Sequence, residues 1–191
     1  MQYAYLPQPL ALRAFQTPFA SRPWAAEMPS AGRVLTADRL AGLRRAGIGL
    51  REPHARGRPV LDGDRALDAL LPLPEPYDVP AATARAVNET RVRGGRVIAA
   101  GTTVVRALES ASGPDGVGSG PGIARLHVDG AHALRSVDAI LTGMHEPGSS
   151  HFELLSAFVP PALLAEAHER AESLTTWPTS SGISMLVLPA R

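Results

Sequence analysis

Two short stretches hold the residue types from which a ligand or catalytic site can be built. The first is Gly95-Arg-Val-Ile-Ala-Ala-Gly-Thr-Thr-Val-Val-Arg-Ala-Leu-Glu-Ser110. A helix beginning near Thr102 or Thr103 would leave backbone N–H groups free at its start, where an anionic ligand group is welcome. Arg106, one turn in, adds a planar bidentate donor suited to carboxylate or phosphate. Glu109, three residues on, can pair with it. The same residues also suit an ordinary strand-to-helix joint with a surface ion pair. The second stretch, Val137-Asp-Ala-Ile-Leu-Thr-Gly-Met-His-Glu-Pro147, carries His145 and Glu146. Imidazole titrates near neutral pH, so His145 is the best general acid–base candidate, although a loop histidine is often structural or solvent-facing. A metalloprotease reading fails: His145-Glu-Pro-Gly-Ser-Ser-His151 has the wrong spacing, and Pro147 keeps both histidines off one helix face.

The elements that must position these groups are legible as strand-then-helix units. Arg96 to Ala100 is a short apolar run bounded by glycines and reads as a buried strand. Gly101 permits a sharp turn, and Thr102 or Thr103 can cap a helix with Val104, Val105 and Leu108 as its apolar positions. Val137–Leu141 is a second apolar strand, after which Ser149 or Ser150 caps a helix through Ala157. Ligand sites in α/β folds gather at such strand ends.

Elsewhere, residues 1–30 are proline-rich and aromatic (Tyr3, Tyr5, Phe15, Phe19, Trp24), so extended chain is expected there. Pro29–Gly32 reads as a turn, Thr36 or Asp38 as the cap of a helix over Ala37–Ala46, and Ile48-Gly49-Leu50 as a short strand. Residues 51–80 read as irregular apart from a short helix over Asp62–Leu70. Pro80 suits the first turn of a helix over Ala81–Arg93. Gly113–Gly122 reads as a flexible loop, and Ile123–Val128 with Ala133–Ser136 as a hairpin around Asp129-Gly130. Pro160–Leu174, with Leu163, Leu164, Ala167 and Ala171 on one side, reads as a helix, and Ile183–Leu188 as the last strand. Strands alternating with helices argue an α/β fold.

Composition narrows the chemistry. The 191 residues suit one domain with ample core. No run approaches a membrane span, and no signal peptide is visible. Absence of cysteine excludes disulfides, thiolate nucleophiles and Cys-ligated metal sites. All 19 basic residues are arginine, which removes Schiff-base chemistry and the P-loop lysine. Residues 1–61 carry nine arginines against three acids, and residues 62–191 ten against fifteen. Arg44, Arg45, Arg51, Arg56 and Arg58 crowd one short stretch. That basic edge could neutralise nucleic-acid phosphates, or simply form a solvated face.

At the two central clusters the chain resembles the S-adenosylmethionine:tRNA ribosyltransferase-isomerases of queuosine biosynthesis. Gly95–Ser110 is similar to that family's most recognisable stretch nearly position for position. Val137–Pro147, followed by Ser149 to Phe158, resembles its second signature, a strand ending in Thr-x-x-His-x-Pro before a helix. Phe15-Gln-Thr-Pro-Phe-Ala20 and Pro29-Ser-Ala-Gly32 with Thr36 are similar to the start of its main domain. The chain departs from the pattern at Val34, where the family has histidine. It departs again around His54, which is all that remains of a Gly-rich Leu-His segment, and at Ser181-Gly182-Ile183, where an aromatic-Gly-Asp pattern is expected.

The resemblance implies an α/β fold with a mixed sheet or partial barrel flanked by helices, incomplete relative to the full family domain. Residues 1–191 would be a single domain matching the later part of that domain, without the N-terminal segment and inserted small β-barrel. It implies a cytoplasmic enzyme that holds no permanent cofactor and no metal. S-adenosylmethionine would be co-substrate, its ribosyl portion transferred and isomerised onto 7-aminomethyl-7-deazaguanine in a tRNA anticodon loop. On that likeness His145 and Glu146 are the catalytic candidates, His145 for proton transfer or positioning. Gly101, Thr102, Thr103, Arg106, Glu109 and Thr142 would bind S-adenosylmethionine. Arg44, Arg45, Arg51, His54, Arg56 and Arg58 would face tRNA, whose target base must be splayed out. The alternative is a non-catalytic S-adenosylmethionine- or tRNA-binding module, or a decayed remnant of the family.

Overall fold

The computed structural model describes residues 17, 19, 30–55, 72–174 and 183–189. A 3-10 turn over Ser30–Val34 precedes α1 (Ala37–Arg45), β1 (His54–Ala55), β2 (Glu75–Val79) and α2 (Ala81–Val92). Then follow β3 (Ile98–Ala100), α3 (Thr102–Ser110), β4 (Ser112–Gly113), β5 (Gly116–Val117) and β6 (Gly120–Ala124). β7 (Ala139–Gly143), α4 (Ser150–Leu155), α5 (Pro161–Leu174) and β8 (Ser184–Val187) complete the order. Among the described residues the strands form two three-stranded sheets and one two-stranded ribbon, with no closed barrel. No described helix is long and apolar enough to cross a membrane.

The sheet that positions the site is mixed. β3 and β7 run parallel, with Ala100 opposite Leu141, and β8 joins the far side of β7 antiparallel. Ala99, Ile140 and Val187 face the core from its three strands and are buried. Asp138 fixes the start of this pairing: its carboxylate accepts from Val97 N–H at 2.7 Å and pairs with Arg91 at 3.2 Å. The second sheet, β1-β2-β6, is antiparallel throughout.

α3 lies between the two sheets and touches strands of both. Thr102, Val105, Arg106, Ala107, Leu108 and Glu109 are all buried, so the helix shows no broad solvent face. A helix covered on both sides must bury its polar positions too, and those then need partners.

Several local expectations give way to longer-range pairing. α1 and α4 are capped by Thr36 and Ser149, whose side chains accept from Arg39 N–H and Phe152 N–H. Neither Thr102 nor Thr103 caps α3, however; Gly101 is the N-cap and both threonines lie inside the first turn. Pro80 likewise sits at the N-cap of α2 rather than inside it. Ile48–Leu50 is not a strand. The region expected to be irregular contains β2 (Glu75–Val79), Pro76 included, paired along its length with β6.

The glycine-rich stretch is not one loop: it forms β4 and β5 and begins β6. Asn88 holds it, donating to Val117 C=O at 3.0 Å and accepting from Val117 N–H at 2.9 Å. β6 pairs with β2 instead of residues 133–136, and Gly122 lies under the Tyr77 ring, where a Cβ would collide. On α5 the buried pair is Leu164 and His168, while Leu163 is half exposed. The expected helix over Asp62–Leu70 lies outside the described residues.

Candidate functional site

The parallel pairing of β3 and β7 brings the two chemical stretches together at their strand ends. Gly101, immediately after β3, donates its N–H to Leu141 C=O on β7 at 2.8 Å. Its φ of +103° with ψ of 149° is a conformation that essentially only glycine adopts. This turn sends the chain straight into α3, so the start of that helix lies at the end of β7 from which the loop carrying His145 leaves. Val104 and Val105 N–H bond to Gly101 C=O, and no bond is made by the N–H groups of Thr102 and Thr103 among the described backbone contacts. Thr102 is buried and Thr103 half-buried.

On the β7 side, Thr142 Oγ1 lies 2.9 Å from His145 Nε2. Thr142 is buried and His145 half-buried. Burial, followed by the neighbouring His151, lowers His145 to about 4, so the ring is neutral near pH 7. The His151 ring stands 4.8 Å away, centroid to centroid, tilted by 37°. Burial, followed by the charge of Arg106, lowers His151 as well. Glu146 is exposed; its carbonyl accepts from Ser149 N–H and Oγ at the helix cap.

Arg106 and Glu109 take different partners from those their spacing suggests. Arg106 is 4% exposed and pairs with Glu75 of β2 at 3.2 Å. It also donates to Leu73 C=O at 2.9 Å, Ala124 C=O at 3.0 Å and Leu126 C=O at 3.4 Å. Burial lowers its pKa and Glu75 opposes that shift.

Glu109 accepts from the backbone N–H groups of Arg135, Ser136 and Val137 and from the Ser136 hydroxyl, all at 2.9–3.1 Å. His132 lies 3.3 Å from its second oxygen. Burial pushes this carboxyl up, but the Ser136 and Arg135 donors, with His132, outweigh it and hold the group below the usual carboxylate range. The two side chains therefore tie α3 to β2, β6 and the segment before β7, and the expected Arg106–Glu109 surface pair is not formed.

Arg44, Arg45 and Arg51 are exposed, and Arg51 donates to the neighbouring Leu50 C=O at 2.7 Å. His54 is half-buried in β1. Arg56 and Arg58 lie outside the described residues. Among the described residues no group of three or more His, Asp or Glu side chains is arranged to hold a metal ion.

In the sequence His151 enters only through a metalloprotease spacing that it fails to meet, and its proximity to His145 emerges in the fold. The signal is present in the chain: a loop histidine is followed, six positions on, by one in the first turn of the next helix. Glu75 also escapes it, because nothing local links β2 to α3.

Comparison with known proteins finds relatives along most of the chain. Residues 2–174 match the family model described as "Queuosine biosynthesis protein". An S-adenosylmethionine:tRNA ribosyltransferase-isomerase from Gloeobacter violaceus is 38% identical over 181 residues, covering 92% of this chain and 51% of that protein. One from Thermus thermophilus is 36% identical over 191 residues, covering 96% and 54%. The crystal structure of S-adenosylmethionine tRNA ribosyltransferase from Thermotoga maritima superposes with a TM-score of 0.65 at 29% identity, covering 83% of this chain and 51% of that one. The chain thus spans about half the length of the relatives it matches.

Proposed function

The chain belongs to the queuosine biosynthesis protein family, and from that premise we propose that it acts in S-adenosylmethionine-dependent tRNA ribosyl transfer and isomerisation. The substrates are S-adenosylmethionine and a cytoplasmic tRNA bearing 7-aminomethyl-7-deazaguanine in its anticodon loop. The ribosyl portion moves to that base and rearranges, while adenine and methionine leave. On this reading the chain forms the later part of the family's main domain.

One observation carries this reading: the Gly101–Leu141 hydrogen bond, which brings the start of α3 to the end of β7 that carries Thr142 and leads to His145. A sulfonium ligand acidifies its neighbouring C–H bonds, and a neutral imidazole can accept such a proton where an imidazolium could not. His145 is neutral at physiological pH and oriented by Thr142. The N–H groups of Thr102 and Thr103, at the positive end of α3, suit the methionine carboxylate. Arg106 and Glu109 support the site from beneath, holding α3 in place. Glu146, which is exposed, would meet the incoming base rather than take part in buried proton chemistry. Arg44, Arg45 and Arg51, with Arg56, Arg58 and His54, supply the basic approach for tRNA.

Calorimetric titration of the full chain with S-adenosylmethionine tests the reading. Heat that is strongly reduced by Thr102→Pro, which removes one N–H at the helix start, supports it; absence of heat in folded protein overturns it. His145→Gln should keep binding and lose turnover on precursor tRNA. A second reading, S-adenosylmethionine binding without turnover, is favoured by Val34, which stands where the family pattern has histidine. Binding without any tRNA product would select it.

A further inference from the structure

His151 has no task in the reading above, yet its surroundings are those of a working group. It lies in the first turn of α4, under the Ser149 cap, so helix backbone rather than loop fixes its ring. The ring is half-buried, and neither of its nitrogens makes a hydrogen bond among the described residues. Half-buried polar atoms without protein partners are available to a ligand.

The charged and titratable groups around it come from three directions. His145 approaches from the loop after β7, its Nε2 already engaged by Thr142. Arg106 acts from α3, and Glu75 of β2 partly neutralises that charge. Two imidazolium ions 4.8 Å apart, beside a guanidinium, repel one another strongly in a partly desolvated site.

The geometry points to His145 and His151 as one acid–base unit carrying at most one proton, with His145 the ring positioned by Thr142 and His151 the ring whose free nitrogen meets the ligand. The ligand's identity rests on the proposed function; the coupling of the two rings does not. Within the pair, the proton of a C–H bond next to a sulfonium passes to the His151 lone pair rather than directly to His145, whose Nε2 is engaged by Thr142. The bonding electrons stay on that carbon, next to the positive sulfur, and the new N–H is the acid available to a leaving group. An extra proton already on His151 would both repel the sulfonium and occupy that lone pair.

Imidazole ¹H–¹⁵N spectra of the full chain, recorded from about pH 2.5 to about pH 8, test the coupling. His151→Gln should raise the His145 midpoint by about one pH unit, and His145→Gln should raise that of His151 similarly. Midpoints unchanged from wild type overturn the inference. Amide dispersion in the same samples reports folding. Should a variant not fold, the wild-type curves decide: coupled rings each show two inflections, and two independent single inflections overturn the pair.

Saturating S-adenosylmethionine should then move the His151 nitrogen signals further than S-adenosylhomocysteine does. Binding that leaves those signals in place overturns the ligand-facing role of His151. Absence of binding by either compound overturns the proposed function, while the titration curves still decide the coupling.

Discussion

Arg106 shows how residue identity and residue role separate on burial. Its guanidinium faces one carboxylate and three carbonyls and is screened from solvent. Arg106→Ala leaves the Glu75 carboxylate without its guanidinium in a dry site, a loss of about 3–5 kcal/mol. Urea unfolding should show it, and the double variant Arg106→Met with Glu75→Leu should recover much of it. Recovery would identify the pair as structural; a variant that stays stable but loses only ligand affinity would show the opposite.

The acid side of the stability curve should have two stages. His145 has a folded pKa near 4 against 6.5 when exposed, so the unfolded chain binds more protons between those values. Stability therefore falls as pH drops from about 6.5 and stops falling from this source near 4. Glu109 is depressed below 4.5, so its contribution is present above that value and is lost as pH falls further. Urea midpoints across pH should decline in both windows. His145→Gln should flatten the first, and Glu109→Gln the second. What the sequence hid at this scale was partnership: Arg106 and Glu109 stand at helical pairing distance, but burial of α3 on both sides gives each a partner far along the chain.

Elements announced by local chemistry were legible. Thr36 and Ser149 satisfy orphan N–H groups within their own turn, and the strand–glycine–helix pattern at Gly101 needs no distant information. Strands that depend on a distant neighbour were not. β2 reads as a proline-rich loop, and β4 to β6 as a glycine-rich one, because their hydrogen bonds are supplied by each other and by Asn88. Both strand ends of the candidate site were legible; their adjacency required the β3–β7 register. Gly101 is the element-scale hinge of that arrangement. Gly101→Ala forces a side chain into a glycine-only conformation and should cost about 1–3 kcal/mol. A larger relative loss of S-adenosylmethionine affinity than of stability is expected, since the start of α3 moves first. Paired urea and calorimetric measurements on one variant would show whether the two losses separate.

At the scale of the whole molecule, the charge asymmetry of the sequence becomes a statement about approach. Arg44, Arg45 and Arg51 are exposed at the end of α1 and before β1, whereas Arg106 in the later, acidic part is internal. Replacing the three exposed arginines by alanine should weaken tRNA binding, most strongly at low salt. It should also lower the log–log salt slope by about 0.7–0.9 for each phosphate that is no longer neutralised. Fluorescence anisotropy over a salt series measures both, and an unchanged slope would assign these arginines to a solvated face.

The parallel join of β3 to β7 has a consequence in time as well as in space. Val97 and Asp138, which start it, are separated by 41 positions, and the segment between them includes α3 and three strands of other sheets. Closing a loop of that size costs entropy before any contact within it repays the cost. No half of the site can therefore mature ahead of the other. On a ribosome, Gly101 would wait for some forty further residues before Leu141 could meet it, and in refolding the first ligand-competent molecules should arise together with the slowest sheet signal.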